Sequence, residues 1–338
     1  MELIPTGSKF AVLTVETNRI DKDVPETVQL TESLFVLRRL PIELPSYWKE
    51  LLGSHTAGRL NETGLHAVSF SPASNPAVLD HENKTLGDIV HRLYWSLLLS
   101  VPFFAHEQGL LLTGTRYEDR YEVRSSQQYP RLPWTPWAPR DHVDQAAIRR
   151  AYALSQAIND LLTVSNFERL ARGNRAFYAA LQHTGLGERI LGFVRTAEAF
   201  ILPPVGQARE AFIQRGSLFV GNGETDALGQ MYDIRSASVH LHDPTRLLPR
   251  ATERIRRLLL LKRCIQAEAL ARHCLARLPQ RKNAHRFFQD DQTLESFWSQ
   301  KSASQRSLWG APIDLQAALA EVRDDWVDDE TLGLGPSA

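Results

Sequence analysis

Cysteine is scarce in this sequence. Two in 338 residues exclude a disulfide scaffold. Cys264 and Cys274 sit in one expected helix, about 15 Å apart along its axis, too far to bridge each other. Net charge is lacking too. Lys plus Arg number 39 and Asp plus Glu 39, so no global basic field draws nucleic acid, and such binding needs a local patch. Long apolar runs are also missing. The most apolar stretch, Leu93 to Phe104, holds Ser96 and Ser100 and meets Pro102. It falls short of the about 18 to 20 residues of a membrane span. Met1-Glu2-Leu3-Ile4-Pro5 has neither a basic n-region nor an apolar h-region, so no signal peptide is expected. These absences point to a soluble cytoplasmic protein with no membrane partner. No internal repeat or low-complexity run is present.

What is there is ordinary for a globular chain: 43% apolar and 23% charged residues. The length suggests about two domains. Phe10 to Val15, Ser33 to Leu37, His66 to Phe70, Gly109 to Gly114 and Tyr121 to Arg124 are rich in β-branched and apolar residues, which predicts strands. Leu86, Ile89, Val90, Leu93, Leu97 and Val101 have helical spacing, with Thr85 as expected N-cap. Residues 1–129 therefore read as an α+β domain, a candidate sensor or specificity module. Residues 130–140 carry prolines with Trp134 and Trp137, an extended linker. The tryptophans are expected to dock that linker onto a domain.

From Asp141 the periodicity turns helical. Ile148, Ala151, Tyr152, Ser155, Ile158 and Leu162 form one helix face. Further helices are expected over 167–181, 187–201, 208–219, 226–241 and 250–278. Residues 141–286 thus predict an all-α helical bundle, and 287–338 a C-terminal extension. Charge is uneven within them. Arg246 to Arg286 holds twelve basic residues against Glu253 and Glu268, whereas Glu321 to Glu330 holds six acids against Arg323. Arg250, Arg254, Arg257 and Arg272 fall within about 60° on an ideal helix. This is a candidate polyanion-binding face, the alternative being a plain solvated face. The acidic tail is a candidate shield for it.

The chemistry-bearing stretch is Tyr232-Asp233-Ile234-Arg235-Ser236-Ala237-Ser238-Val239-His240-Leu241-His242-Asp243-Pro244. Imidazole moves protons near neutral pH, and guanidinium matches phosphate oxygens with a fork of donors. Arg235 and His240 are about 140° apart on an ideal helix, whereas His242 lies at nearly the angle of Arg235. A metal reading of His240, His242 and Asp243 fails on spacing, because imidazoles two apart on a helix point about 200° apart. No metal or cofactor is expected. Gly221-Asn222-Gly223 is no phosphate loop, since no Lys-Ser/Thr follows it.

Residues 141 to 280 resemble the HEPN superfamily (higher eukaryotes and prokaryotes nucleotide-binding), most closely its ApeA-like branch. The resemblance rests on Phe193 to Leu202 on an early helix, then Ala211 to Phe219, then Tyr232 to His240, followed by a long amphipathic helix. It implies a helical bundle that forms a homodimer, with Arg-x4-His motifs of two protomers meeting as a metal-independent endoribonuclease. By that resemblance His240 is the general acid or base on a ribose 2′-hydroxyl. Arg235 holds the scissile phosphate, and Glu198 positions Arg235. Ser236 stands where many active members carry Asn, Asp or His, and Leu241 where many carry Gly. The RNA substrate is expected to run along Arg250, Arg254, Arg257 and Arg272. Such proteins often serve in antiphage defence or as toxins, and some only bind nucleotides or partners. The structural alternative pairs Arg235 with Glu198 or Asp233 and leaves His240 as a helix C-cap.

Overall fold

The computed structural model describes residues 3–15, 17, 20–60, 64–75, 81–101, 109–118, 120–129, 142–164, 167–248, 252–325, 327–329, 331–332 and 334, without the side chains at 55, 59, 163 and 164. The expected linker at 130–140 and Arg250 lie outside these residues. The chain forms two compact units. Among the described residues, the first runs to Gln156 and the second from Ala157.

The first unit is built on six antiparallel strands: β1 (Ser8–Val15), β2 (Thr27–Gln29), β3 (Leu34–Leu37), β4 (Leu65–Pro72), β5 (Leu110–Tyr117) and β6 (Arg120–Gln128). Their order is β2-β3-β4-β1-β5-β6. In β1, Val12 lies opposite Val68 of β4 on one side and Leu112 of β5 on the other. Every residue of β1 is buried, as a central strand covered on both faces requires. Its alternate side chains enter different layers. Ala11, Leu13 and Val15 join a core with Leu86, Val90 and Leu93 of α3 (His81–Ser100). Phe10 and Val12 join a second core with Leu37, Leu44 and Ala57. That core is closed by α1 (Ser46–Leu52) and α2 (Ser54–Arg59), and Trp48 of α1 donates its indole N–H to the Val123 carbonyl at 2.8 Å.

Two expectations need correction. Thr85 is not the N-cap of α3, because the helix begins at His81 and the Thr85 hydroxyl bonds to the His81 carbonyl at 3.0 Å. The bundle does not start at 141 either. In α4 (Gln145–Val164) the side chains of Ala147, Ile148 and Ala151 lie in the core of the sheet unit. Just before it, Val143 forms a parallel bridge with Ile20. An apolar helix stripe shows that a face is buried and does not name what buries it.

The second unit contains α5 (Glu168–Gln182), α6 (Leu186–Ile201), α7 (Ala208–Val220), α8 (Thr225–Val239), α9 (Glu253–Arg277), α10 (Lys282–His285), α11 (Asp291–Trp298) and α12 (Ser302–Trp309). Two mid-helix glycines bring α5 against α6. A Cβ at Gly173 would stand 2.6 Å from that of Ala199, and one at Gly192 would stand 2.6 Å from that of Ala180. The pairing of early with late residues makes the two helices antiparallel. The segment after 287 is part of this core. Phe288, Phe297 and Trp309 are buried, with the Trp309 ring 4.6 Å from Phe219 and 6.0 Å from Phe200. The helices are fastened further by a buried triad, in which Glu268 accepts from Arg189 at 3.2 Å and from Arg272 at 2.7 Å. Cys264 and Cys274 are free and buried. Among the described residues, no helix is long and apolar enough to cross a membrane.

Candidate functional site

α6 and α8 approach closely because Gly187 has no side chain. A Cβ there would lie 3.0 Å from the Ser238 hydroxyl and 3.5 Å from Pro244 Cγ. Near the other end of α6, Glu198 meets Arg235 of α8 at 3.1 Å, with side chains 13% and 23% exposed. The guanidinium also lies 5.4 Å from the ring of Tyr232, one turn earlier. Its Nε is buried without a hydrogen-bond partner. Burial holds the Glu198 carboxyl above the usual carboxylate range, against the opposing pull of Arg235, Arg195 and Arg169. Arg169 forks onto Asp291 at 2.6 and 3.2 Å and donates to the Glu198 carbonyl at 3.4 Å. Asp233 is taken by Arg209, which bonds both its oxygens at 2.7 and 2.9 Å. Of the two acids weighed as partners for Arg235, Glu198 is the one it meets.

The other half of the motif stands where α8 stops. His240 is the C-cap. Leu241 follows with φ +57°. The His242 N–H donates to the Ala237 carbonyl at 2.9 Å, and the Leu241 N–H to that of Ser238 at 3.3 Å. These two bonds are a Schellman closure, with leucine where glycine is usual. The His240 N–H donates to the carbonyl of Ser236 at 3.2 Å, which is how Ser236 enters the site. Because the chain leaves the helix here, helical angles do not extend to His242, and it does not share the face of Arg235. Nor do the imidazoles point apart: their centroids are 6.2 Å apart at 35°. Both histidines are exposed. Among the described residues, no hydrogen bond, ion pair or ring contact joins either one to Arg235. Asp243 faces the next turn, where bonds from Thr245 at 2.8 and 2.9 Å hold its carboxyl below the usual range. No group of three His, Cys, Asp or Glu suited to a metal occurs among the described residues.

The basic helix differs from its expected form. Arg254 pairs with Asp329 at 3.3 Å and donates to the carbonyls of Asp324 and Val327. Arg257 bonds Glu253 at 2.8 Å and the Leu332 carbonyl at 3.3 Å. Lys262 meets Asp324 at 2.6 Å. The acidic tail thus lies on α9, fixed by Val327 and Leu332 packed with Leu258, Leu261 and Ile265. Arg272 does not belong to this face. Its side chain is 13% exposed, bound to Glu268 and lying over the Phe177 ring at 5.4 Å. Leu270, Ala271, Cys274 and Leu275 around it are all buried. That end of α9 is interior on most sides, so a wheel angle does not report exposure there.

No protein-family model, curated protein or solved structure matches this chain. Two residues to which the sequence assigned no role also shape the site. Tyr232, the first residue of the chemistry-bearing stretch, supports Arg235 from three positions earlier on the same helix, a spacing that signals contact. Arg169 reaches Glu198 from α5, and nothing local in the sequence marks that long-range contact.

Proposed function

We propose that the second unit is a metal-independent endoribonuclease of the HEPN type, acting as a homodimer in a defence or toxin role. The observation that carries this reading is the end of α8. It presents an exposed imidazole, His240, beyond a guanidinium held by Glu198. It is flanked by Val239, Leu241 and Leu247, apolar side chains that the protomer leaves uncovered. Exposed apolar groups around polar ones mark association surfaces. Ribose-assisted cleavage needs both a base and an acid. One protomer offers His240 with the exposed His242 ring 6.2 Å away, and the family resemblance assigns the second role to the His240 of another copy placed against this surface.

In the proposed reaction His240 takes the proton of the 2′-hydroxyl while the 2′-oxygen attacks phosphorus. The bond from phosphorus to the 5′-oxygen breaks, and the second copy's His240 protonates that oxygen. Arg235 stabilises the charge gathering on the phosphoryl oxygens. The products are a 2′,3′-cyclic phosphate and a 5′-hydroxyl. A second reading, a non-catalytic dimeric adaptor, is favoured by the contacts of Arg235 with Glu198 and Tyr232, which give the guanidinium a structural task. Purified protein on single-stranded RNA in EDTA, beside Arg235→Ala and His240→Ala, separates the readings. Cleavage lost in both folded variants supports the nuclease. Equal cleavage by all three removes it. No cleavage by any, with destabilisation in Arg235→Ala, supports the adaptor.

A further inference from the structure

The first unit contains a cleft of about 430 Å³ bounded by α3, β5, β6 and the residue that follows β6. Its origin is the sheet order. α3 packs mainly on β1 and β4, and the outer pair β5–β6 extends past its flank. On the helix side Asn83, Gly87 and His91 recur every four residues and share a face. On the sheet side Leu111 lies opposite Gln127, and Thr113 opposite Ser125. Tyr129 closes one end, its hydroxyl 3.2 Å from His91 Nδ1.

The lining specifies what fits. Gly87 faces Leu111, and a Cβ added there would stand 3.5 Å from its Cδ2. This gives the cleft a flat apolar floor. Around the floor stand uncharged hydrogen-bonding groups: the hydroxyls of Thr113 and Ser125, the Gln127 amide and the imidazole of His91. Burial pushes His91 down to about 4, with Asp88 opposing and Arg92 assisting, so at neutral pH it adds no charge. Lys84 and Asp88 are exposed and of opposite sign. No excess charge is left to balance an ionised ligand. Asn83 is the decisive residue. It is 1% exposed, and its amide nitrogen donates to the Gly114 carbonyl at 3.0 Å. Its amide oxygen is buried with no partner, a state that native proteins seldom leave unexplained.

We propose that this cleft binds an uncharged planar heterocycle of nucleobase or nucleoside size, one face of which lies on the floor formed by Gly87 and Leu111 and whose ring N–H donates to the Asn83 carboxamide. The inference is independent of the ribonuclease reading, and its test measures binding alone. Calorimetry on the full chain uses adenosine, guanosine, cytidine and uridine, with inorganic phosphate and glycine as charged controls. The expected result is at least one nucleoside binding with Kd below about 1 mM and neither control binding. Gly87→Leu fills the floor and is expected to weaken that nucleoside about tenfold or more. Gly87→Ala adds only a methyl in ordinary contact and remains folded by circular dichroism. Failure of every nucleoside to bind folded wild type overturns the proposal. So does undiminished binding to folded Gly87→Leu, or binding of a charged control in preference to the nucleosides.

Discussion

Glu198 and Arg235 form an ion pair at 3.1 Å between α6 and α8, with the carboxylate the more deeply buried partner. This pair fixes the direction of the guanidinium before any ligand arrives. Glu198→Gln keeps the shape and removes the charge. On the nuclease reading it lowers kcat about 10- to 100-fold through misplacement of Arg235, with little change in KM and partial rescue by Glu198→Asp. Arg235→Ala leaves the largely buried carboxyl without its partner and costs about 1–3 kcal/mol in urea unfolding. Burial keeps the proton on Glu198 to higher pH in the folded state than in the unfolded chain. Its contribution is therefore full at low pH and is lost as pH rises through the folded titration. Glu198→Gln flattens that part of the stability profile.

Leu241 has a left-handed backbone, φ +57°, and is 94% exposed. A glycine removes the Cβ penalty of that conformation, so Leu241→Gly gains about 0.5–1 kcal/mol in the protomer's unfolding free energy, after the larger unfolded-state entropy of glycine. If the α8 end is the dimer surface, the same change weakens self-association. Chemical denaturation and sedimentation velocity are expected to move in opposite directions.

His66 and His273 are each pushed down to about 4 by burial, with Arg277 adding to the effect at His273. In an unfolded chain they titrate near 6.5. Their contribution is full above about 6.5 and is lost as pH falls toward 4. The Trp309 indole donates to His273 Nε2 at 3.2 Å, an acceptor that protonation abolishes. Tryptophan fluorescence of the folded protein is expected to change as pH falls through about 4, and His273→Gln to abolish that step.

The acidic tail neutralises α9 through Asp329 on Arg254 and Asp324 on Lys262. Exposed pairs of this kind contribute about 0–1 kcal/mol each, so Asp324→Asn with Asp329→Asn leaves the fold intact. Two cations are released from their partners. RNA affinity at low salt rises, and the log–log salt slope steepens by about 0.7 per cation. An unchanged slope in a filter-binding titration shows that this face does not carry the RNA.

Much of this architecture is legible in the sequence wherever one segment carries its own pattern. β1 reads as a strand because a centre strand needs an unbroken apolar run. α6 and α8 read as helices from their spacing. β2 escapes because it is an edge of three residues with Val28 alone buried. α1 has no buried residue, so no periodicity marks it. The site is half legible. Arg235 and Glu198 come from the resemblance, and the structure brings them together. The Schellman turn that moves His242 off the face of Arg235 rests on a leucine in a glycine-type conformation, which residue preference argues against. The acidic run is visible as charge, but its seat on Leu258 and Leu261 depends on tertiary packing.

In the proposed reaction His240 and Arg235 cut RNA through its own 2′-hydroxyl. The direct measurement is mass spectrometry of the ends produced from a single-stranded RNA in EDTA, beside the same RNA with 2′-deoxy residues. The expected result is 2′,3′-cyclic phosphate ends from RNA, intact deoxy substrate, and no product with folded His240→Ala. Cleavage of the deoxy substrate, or the same ends from His240→Ala, removes this mechanism.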